Sequence, residues 1–103
     1  MNIYLYVSQN YPYTGRLTNV LKDLSYAKFY FNQSEDALIK IINNLDLTAE
    51  YFENSKLYDV LRQLNYILLF YNEEDNKAVQ LSRYAAKKAK NLIIIPEEEK
   101  PYV

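Results

Sequence analysis

The residues best placed to do chemistry are the acids of Asn72-Glu73-Glu74-Asp75, three carboxylates that directly follow the apolar run Tyr66 to Tyr71. Carboxylates so clustered could act as a general base or hold a hard cation. The end of a strand is also where open α/β sheets bind ligands. A second cluster is basic. Arg83, Lys87 and Lys90 recur at i, i+4 and i+7, with Lys77 and Lys88 close by, a spacing that puts cations on one side of a helix and could hold phosphate or nucleic acid. Beyond these the inventory is narrow. With no cysteine and no histidine, disulfides, thiolate nucleophiles, Cys/His zinc sites and Ser-His-Asp triads are excluded. A single glycine, Gly15, leaves no glycine-rich phosphate loop and no dinucleotide fingerprint. Both clusters have a simpler structural reading, because acids at a helix start and bases at its end complement the helix dipole. We therefore expect no catalytic residue, no metal site and no cofactor.

The excess is as informative as the lack. Twelve of the 103 residues are tyrosine, a side chain that presents a large rigid ring with a polar tip at low entropic cost and suits surfaces that bind. An AT-rich genome, which raises Tyr, Asn, Ile and Lys together, accounts for the same bias. At this length one domain is expected, spanning 1–103, and the 50% apolar and 24% charged content is that of a folded globular chain. A net charge of -1 provides no overall attraction to nucleic acid or to acidic membranes. No apolar run reaches membrane-spanning length, and the opening Met1 to Asn10 lacks the basic start and cleavage site of a signal peptide. A cytoplasmic location is the expectation.

The elements that must position these groups are written twice. "LTNVLKDLSY" from Leu17 and "LYDVLRQLNY" from Leu57 align at an offset of 40 residues, with identities at Leu17/Leu57, Val20/Val60, Leu21/Leu61, Leu24/Leu64, Tyr26/Tyr66 and Asn32/Asn72. The frame continues without a gap to Leu45 and Ala85, so it reads as an internal duplication. In each copy an i, i+3, i+4, i+7 stripe predicts an amphipathic helix. Next come a strand, alternating in "YAKFYFN" and apolar on both sides in "YILLFYN", and a second helix. The first of these later helices should start at Ser34; the other should run from near Glu74 to about Lys90. "NIYLYVS" is a further strand, whereas "LTAEYFE" is strand or helix, since Thr48 could cap a helix there. "NLIIIP" closes the series and should be buried, because so apolar an edge invites aggregation. "YPYTG", Tyr11 to Gly15, reads as a surface loop.

The fold class expected is α/β, with a largely parallel sheet built from two tandem β-α-β-α motifs, about 2–45 and 46–90, related by a pseudo-two-fold axis. A final strand and acidic tail occupy 91–103. Two packed copies leave a groove between them. The residues expected to line it are Asn32 and Asn72 at equivalent strand ends, with Tyr30, Tyr51, Tyr58 and Tyr71. The alternative is that the asparagines cap turns and the tyrosines are core rings.

Two resemblances extend this reading. Through its doubled LxxVLxxLxY pattern, its tyrosine load and its lack of cysteine, the whole chain resembles small proteins of Acidianus filamentous viruses, which infect archaea. That likeness implies a small α/β viral protein without assigned enzymatic activity, acting in the cytoplasm of the infected host cell or in the particle. The stretch from "YDVLRQLNYILLFYNEED" to "RYAAKKAKNLIIIP" is similar to the second half of nucleoside deoxyribosyltransferase-like proteins. Those carry a glycine-containing turn and a nucleophilic glutamate; here the turn has no glycine, and Val79 and Gln80 stand where the glutamate belongs. The expectation is then a non-enzymatic protein-protein interaction module that holds a partner or peptide between its repeats and is able to form a homodimer. Nucleic-acid binding through Arg83, Lys87 and Lys90 is the alternative, and a degenerate nucleotide-processing enzyme the second.

Overall fold

Each predicted apolar stripe forms a helix with one face on a sheet. The computed structural model describes residues 1–8, 11, 14–72 and 74–96. The strands are β1 (Asn2–Val7), β2 (Lys28–Phe31), β3 (Thr48–Tyr51), β4 (Tyr66–Tyr71) and β5 (Asn91–Pro96), and the helices are α1 (Thr14–Asp23), α2 (Asp36–Asn44), α3 (Leu57–Gln63) and α4 (Asn76–Lys87). A single 3₁₀ turn, Asn54–Lys56, leads into α3. All strand pairs are parallel, in the order β3-β2-β1-β4-β5.

Period-two alternation in β1 divides the core. Ile3 and Leu5 point to one face, where Leu17 and Leu21 of α1 and Leu38 and Ile42 of α2 cover them. Tyr4 and Tyr6 point to the other, beneath Leu57 and Leu61 of α3 and Leu81 of α4. Each fully buried leucine contributes about 1.5–3 kcal/mol relative to exposure. Ala78 and Ala85, both 0% exposed, let α4 approach the sheet closely, as its small residues imply.

The tandem motifs do not repeat their strand pairing. β1 pairs with β2, whereas β3 and β4 are separated by β2 and β1. The order helix, strand, helix is shared by α1-β2-α2, whose strand lies on one side of β1, and by α3-β4-α4, whose strand lies on the other. Since the connection after β1 runs to β2 and the connection after β4 runs to β5, the chain leaves these adjacent strands in opposite directions, which opens a crevice at their carboxyl ends.

Several local expectations change. "LTAEYFE" forms strand β3 at one edge. "NLIIIP" is β5, the other edge, with Ile94 42% exposed, so the apolar run is not enclosed. Tyr11 is no loop residue at the surface: it is buried, its ring edge-on to Phe70 at 5.5 Å. Thr14 and Gly15 belong to α1. The last helix ends at Lys87, and Ala89 turns the chain with φ 54°.

One buried group lacks a partner among the described residues. The Tyr84 hydroxyl is enclosed without a hydrogen bond, while its ring lies 5.4 Å from that of Tyr58. Deleting an unsatisfied buried oxygen relieves desolvation without opening a large cavity. A Tyr84→Phe variant will gain about 1 kcal/mol, read as a rise of several degrees in thermal unfolding.

Candidate functional site

At the carboxyl ends of β1, β2 and β4 the side chains turn polar and lock together. Tyr4, fully buried, donates its hydroxyl to Asn32 Oδ1 at 2.8 Å. The Asn32 amide donates onward to Asn54 Oδ1 at 2.9 Å, and Lys77 Nζ reaches the same oxygen at 3.1 Å. Asn54 thereby ties the 3₁₀ turn to both β2 and α4. Gln33 has another task. The β1–β2 pairing runs to Tyr4 opposite Tyr30, and three residues later Gln33 replaces main chain with side chain. It accepts from the Val7 amide at 2.9 Å and donates to the Val7 carbonyl at 2.6 Å.

The second network centres on Asp75. Its Oδ1 accepts from the amides of Lys77 (3.0 Å) and Ala78 (3.4 Å), capping α4, and its Oδ2 accepts from the Tyr6 hydroxyl at 2.6 Å. Burial opposes ionisation of Asp75, but Tyr6, the two amides and the Ser8 hydroxyl outweigh it and hold the carboxyl below its ordinary range. Burial, then the bond to Asp75 and the nearby carboxylates, push the Tyr6 phenol well above the usual tyrosine range. Tyr4 is raised too, by burial first, with the Asn32 bond opposing and Tyr58 adding to it. Ser8, 2% exposed, accepts from the Asn72 amide at 2.9 Å and so joins the ends of β1 and β4.

These networks wall a cleft of about 300 Å³ lined by Tyr6, Asn32, Gln33, Ser34, Glu35 and Lys77. Lys77 Nζ lies 5.4 Å from the Tyr6 ring centre, over its face. Ser34 and Glu35 stand at the start of α2, where Glu35 occupies the capping position without a side-chain hydrogen bond. The predicted start at Ser34 is thus one residue early.

Of the residues expected to bind, Asn32 alone lines this cleft. Asn72 closes a turn, its Oδ1 accepting from the Glu74 amide at 2.9 Å. Tyr30 and Tyr71 are half-buried against the α3/α4 side of the core. Tyr51 and Tyr58 are exposed, 53% and 49%, but apart. Tyr51 meets Phe31 edge-on at 5.6 Å on the α1/α2 side, whereas Tyr58 contacts Tyr84 across α3 and α4. One groove lined by all four tyrosines is not formed.

The basic row is shorter than its spacing predicted. Arg83 and Lys87 are exposed on α4, but Lys90 lies beyond the helix end and donates to the Arg62 carbonyl at 3.3 Å. Glu73 lies outside the described residues, and Glu74 is exposed in the turn. Among the described residues no group of three or more His, Cys, Asp or Glu could hold a metal ion, and no helix is long and apolar enough to cross a membrane. Val79 and Gln80, on α4, do not line the cleft. Sequence reasoning missed Tyr6, Gln33, Asn54 and the part played by Lys77. Asp75 was within reach, since an aspartate immediately before a helix is a capping signal.

The chemistry available depends on which groups are already engaged. Asp75 accepts from the Tyr6 hydroxyl and two backbone amides, and its carboxyl is held below the ordinary range, which makes it a poor base. Tyr6 is a weak acid whose proton is committed to Asp75. The groups that line the open cleft include Lys77, Glu35, Ser34 and the side-chain amides, which offer charge and hydrogen bonds to a ligand. No protein-family model, curated protein or solved structure matches this chain.

Proposed function

We propose that this chain is a non-enzymatic binding module whose ligand is a small polar molecule, neutral or zwitterionic, held in the cleft at the carboxyl ends of the strands. The observation that carries the proposal is a polar cleft of about 300 Å³ at the carboxyl ends of β1 and β2, lined by Tyr6, Gln33, Glu35 and Lys77. That volume is at the lower end for ligand sites and suits a molecule of nucleoside or amino-acid size. Lys77 and Glu35 both face it, so a cation and an anion are offered together with hydroxyl and amide groups. A polyanion is disfavoured by Glu35 and Asp75 beside the lysine. The cleft joins Asn32, Gln33, Ser34 and Glu35, which follow β2, to Lys77 of α4, so its walls come from distant parts of the chain.

The test is an amide chemical-shift titration with a panel of nucleosides, monosaccharides and amino acids at millimolar concentration. Binding is expected to move the resonances of residues 32–35 and 75–78. Lys77→Met and Glu35→Gln should each weaken the ligand found by about tenfold, equivalent to about 1.4 kcal/mol. A panel that moves none of these resonances overturns the reading, as does tighter binding of a nucleoside triphosphate than of its nucleoside.

A further inference from the structure

We infer that β5 is an interface for a second copy of this chain, joined edge to edge and antiparallel across a two-fold axis centred on Ile93, to give a continuous ten-stranded sheet. The two edges of the sheet differ in the way that matters. β3 has four residues and carries Glu50, a charge that discourages pairing with another strand. β5 has six, Asn91 to Pro96, with no charge and three consecutive isoleucines, and among the described residues it pairs only with β4. Ile94 remains 42% exposed there.

The backbone sets the register. The Asn91 amide donates to the Asn65 carbonyl at 2.8 Å, so Asn91 turns its peptide groups towards β4. Because successive residues alternate, Ile93 and Ile95 do the same, whereas Leu92, Ile94 and Pro96 turn outwards. Pro96, which has no amide hydrogen, therefore falls on the open side, where its missing donor breaks no bond to β4. Leu92 and Ile94 of one copy can exchange hydrogen bonds with Ile94 and Leu92 of another, leaving Ile93 opposite itself.

Charge selects the direction. Lys87, Lys88 and Lys90 precede Asn91 in the sequence, and Glu97, Glu98 and Glu99 come after Pro96. In sequence order, an antiparallel neighbour runs the basic flank of one strand against the acidic flank of the other. A parallel one would bring like to like. This commits the edge to the same chain rather than to an unrelated peptide, since the strand's own flanks are its complement.

Sedimentation equilibrium of the full chain should give twice the 12.3 kDa monomer mass, and Ile94→Lys should give the monomer with an unchanged circular dichroism spectrum. The chain has no cysteine, so Ile93→Cys supplies a single thiol that should close a disulfide with its counterpart on mild oxidation, the facing positions of such a pair being at disulfide distance. A monomer at all concentrations overturns the inference. So does a dimer that survives Ile94→Lys, or one in which Ile93→Cys fails to cross-link.

Discussion

An Asp75→Ala variant will lose about 2–4 kcal/mol of stability, measured by chemical denaturation, because one carboxylate performs two tasks. Its Oδ1 caps α4 through the amides of Lys77 and Ala78, and loss of a cap costs about 1 kcal/mol. Its Oδ2 takes the Tyr6 hydroxyl at 2.6 Å, and stranding that oxygen, on a residue only 5% exposed, adds about 1–3 kcal/mol. Asp75→Asn separates the two parts. Asparagine caps a helix about as well as aspartate, so its smaller loss, about 1 kcal/mol, isolates the charge. The acid limb gives the sign. The folded pKa of Asp75 lies below its ordinary 3.8, so its contribution is complete above that value and vanishes as pH falls through the lower folded one. Between about pH 5 and pH 2 the native chain should therefore lose more stability than Asp75→Asn. Equal acid slopes would show that the carboxylate is not held as the hydrogen bonds imply.

Phe70→Ala should cost about 3–5 kcal/mol, the range for removing a buried phenylalanine. Phe70 is 0% exposed in β4, and its ring carries that of Tyr11 edge-on at 5.5 Å with the planes at 74°. Truncation therefore opens a cavity and also releases Tyr11, the anchor of the connection between β1 and α1. Against a total of about 5–15 kcal/mol for a domain of this kind, the variant will be marginal at room temperature. Phe70→Leu, which keeps most of the volume, should cost about 1.5 kcal/mol or less. A large loss in both would place the cost in the lost aromatic pair rather than in the cavity.

The helices and strands were legible because they depend on short-range spacing. Leu17 and Leu21, then Leu57, Leu61 and Leu64, are buried as their stripe requires. The alternation of Ala27, Phe29 and Phe31 against Lys28 and Tyr30 is the burial pattern of β2. β4 is interior, as its apolar sides implied. Strand order was not legible. Whether "NLIIIP" lies inside or at an edge depends on which neighbour β4 takes, a choice made by crossovers and not by composition. The site was legible only at Asn32. Tyr6 and Asp75 are 69 positions apart, and Tyr4 and Asn32 are 28 apart, so no local pattern announces either pair. Tyr11 failed for the same reason: flanked by Asn10 and Pro12, it has the neighbours of a turn, and only the distant Phe70 makes it core.

The central place of β1 has a consequence for how the molecule is made. Synthesis delivers Ile3, Tyr4, Leu5 and Tyr6 before either strand they pair with, and one flank of β1 waits until Tyr66–Tyr71 has been translated. A nascent chain that stops short of Tyr66 has β1 closed on one side by β2 and open on the other, a sticky intermediate. The last partners of Tyr6 arrive later still, at Asp75 and Lys77. No amino-terminal fragment ending before them contains the cleft, so occupancy of that cleft would report on translation having passed Lys77 as well as on ligand.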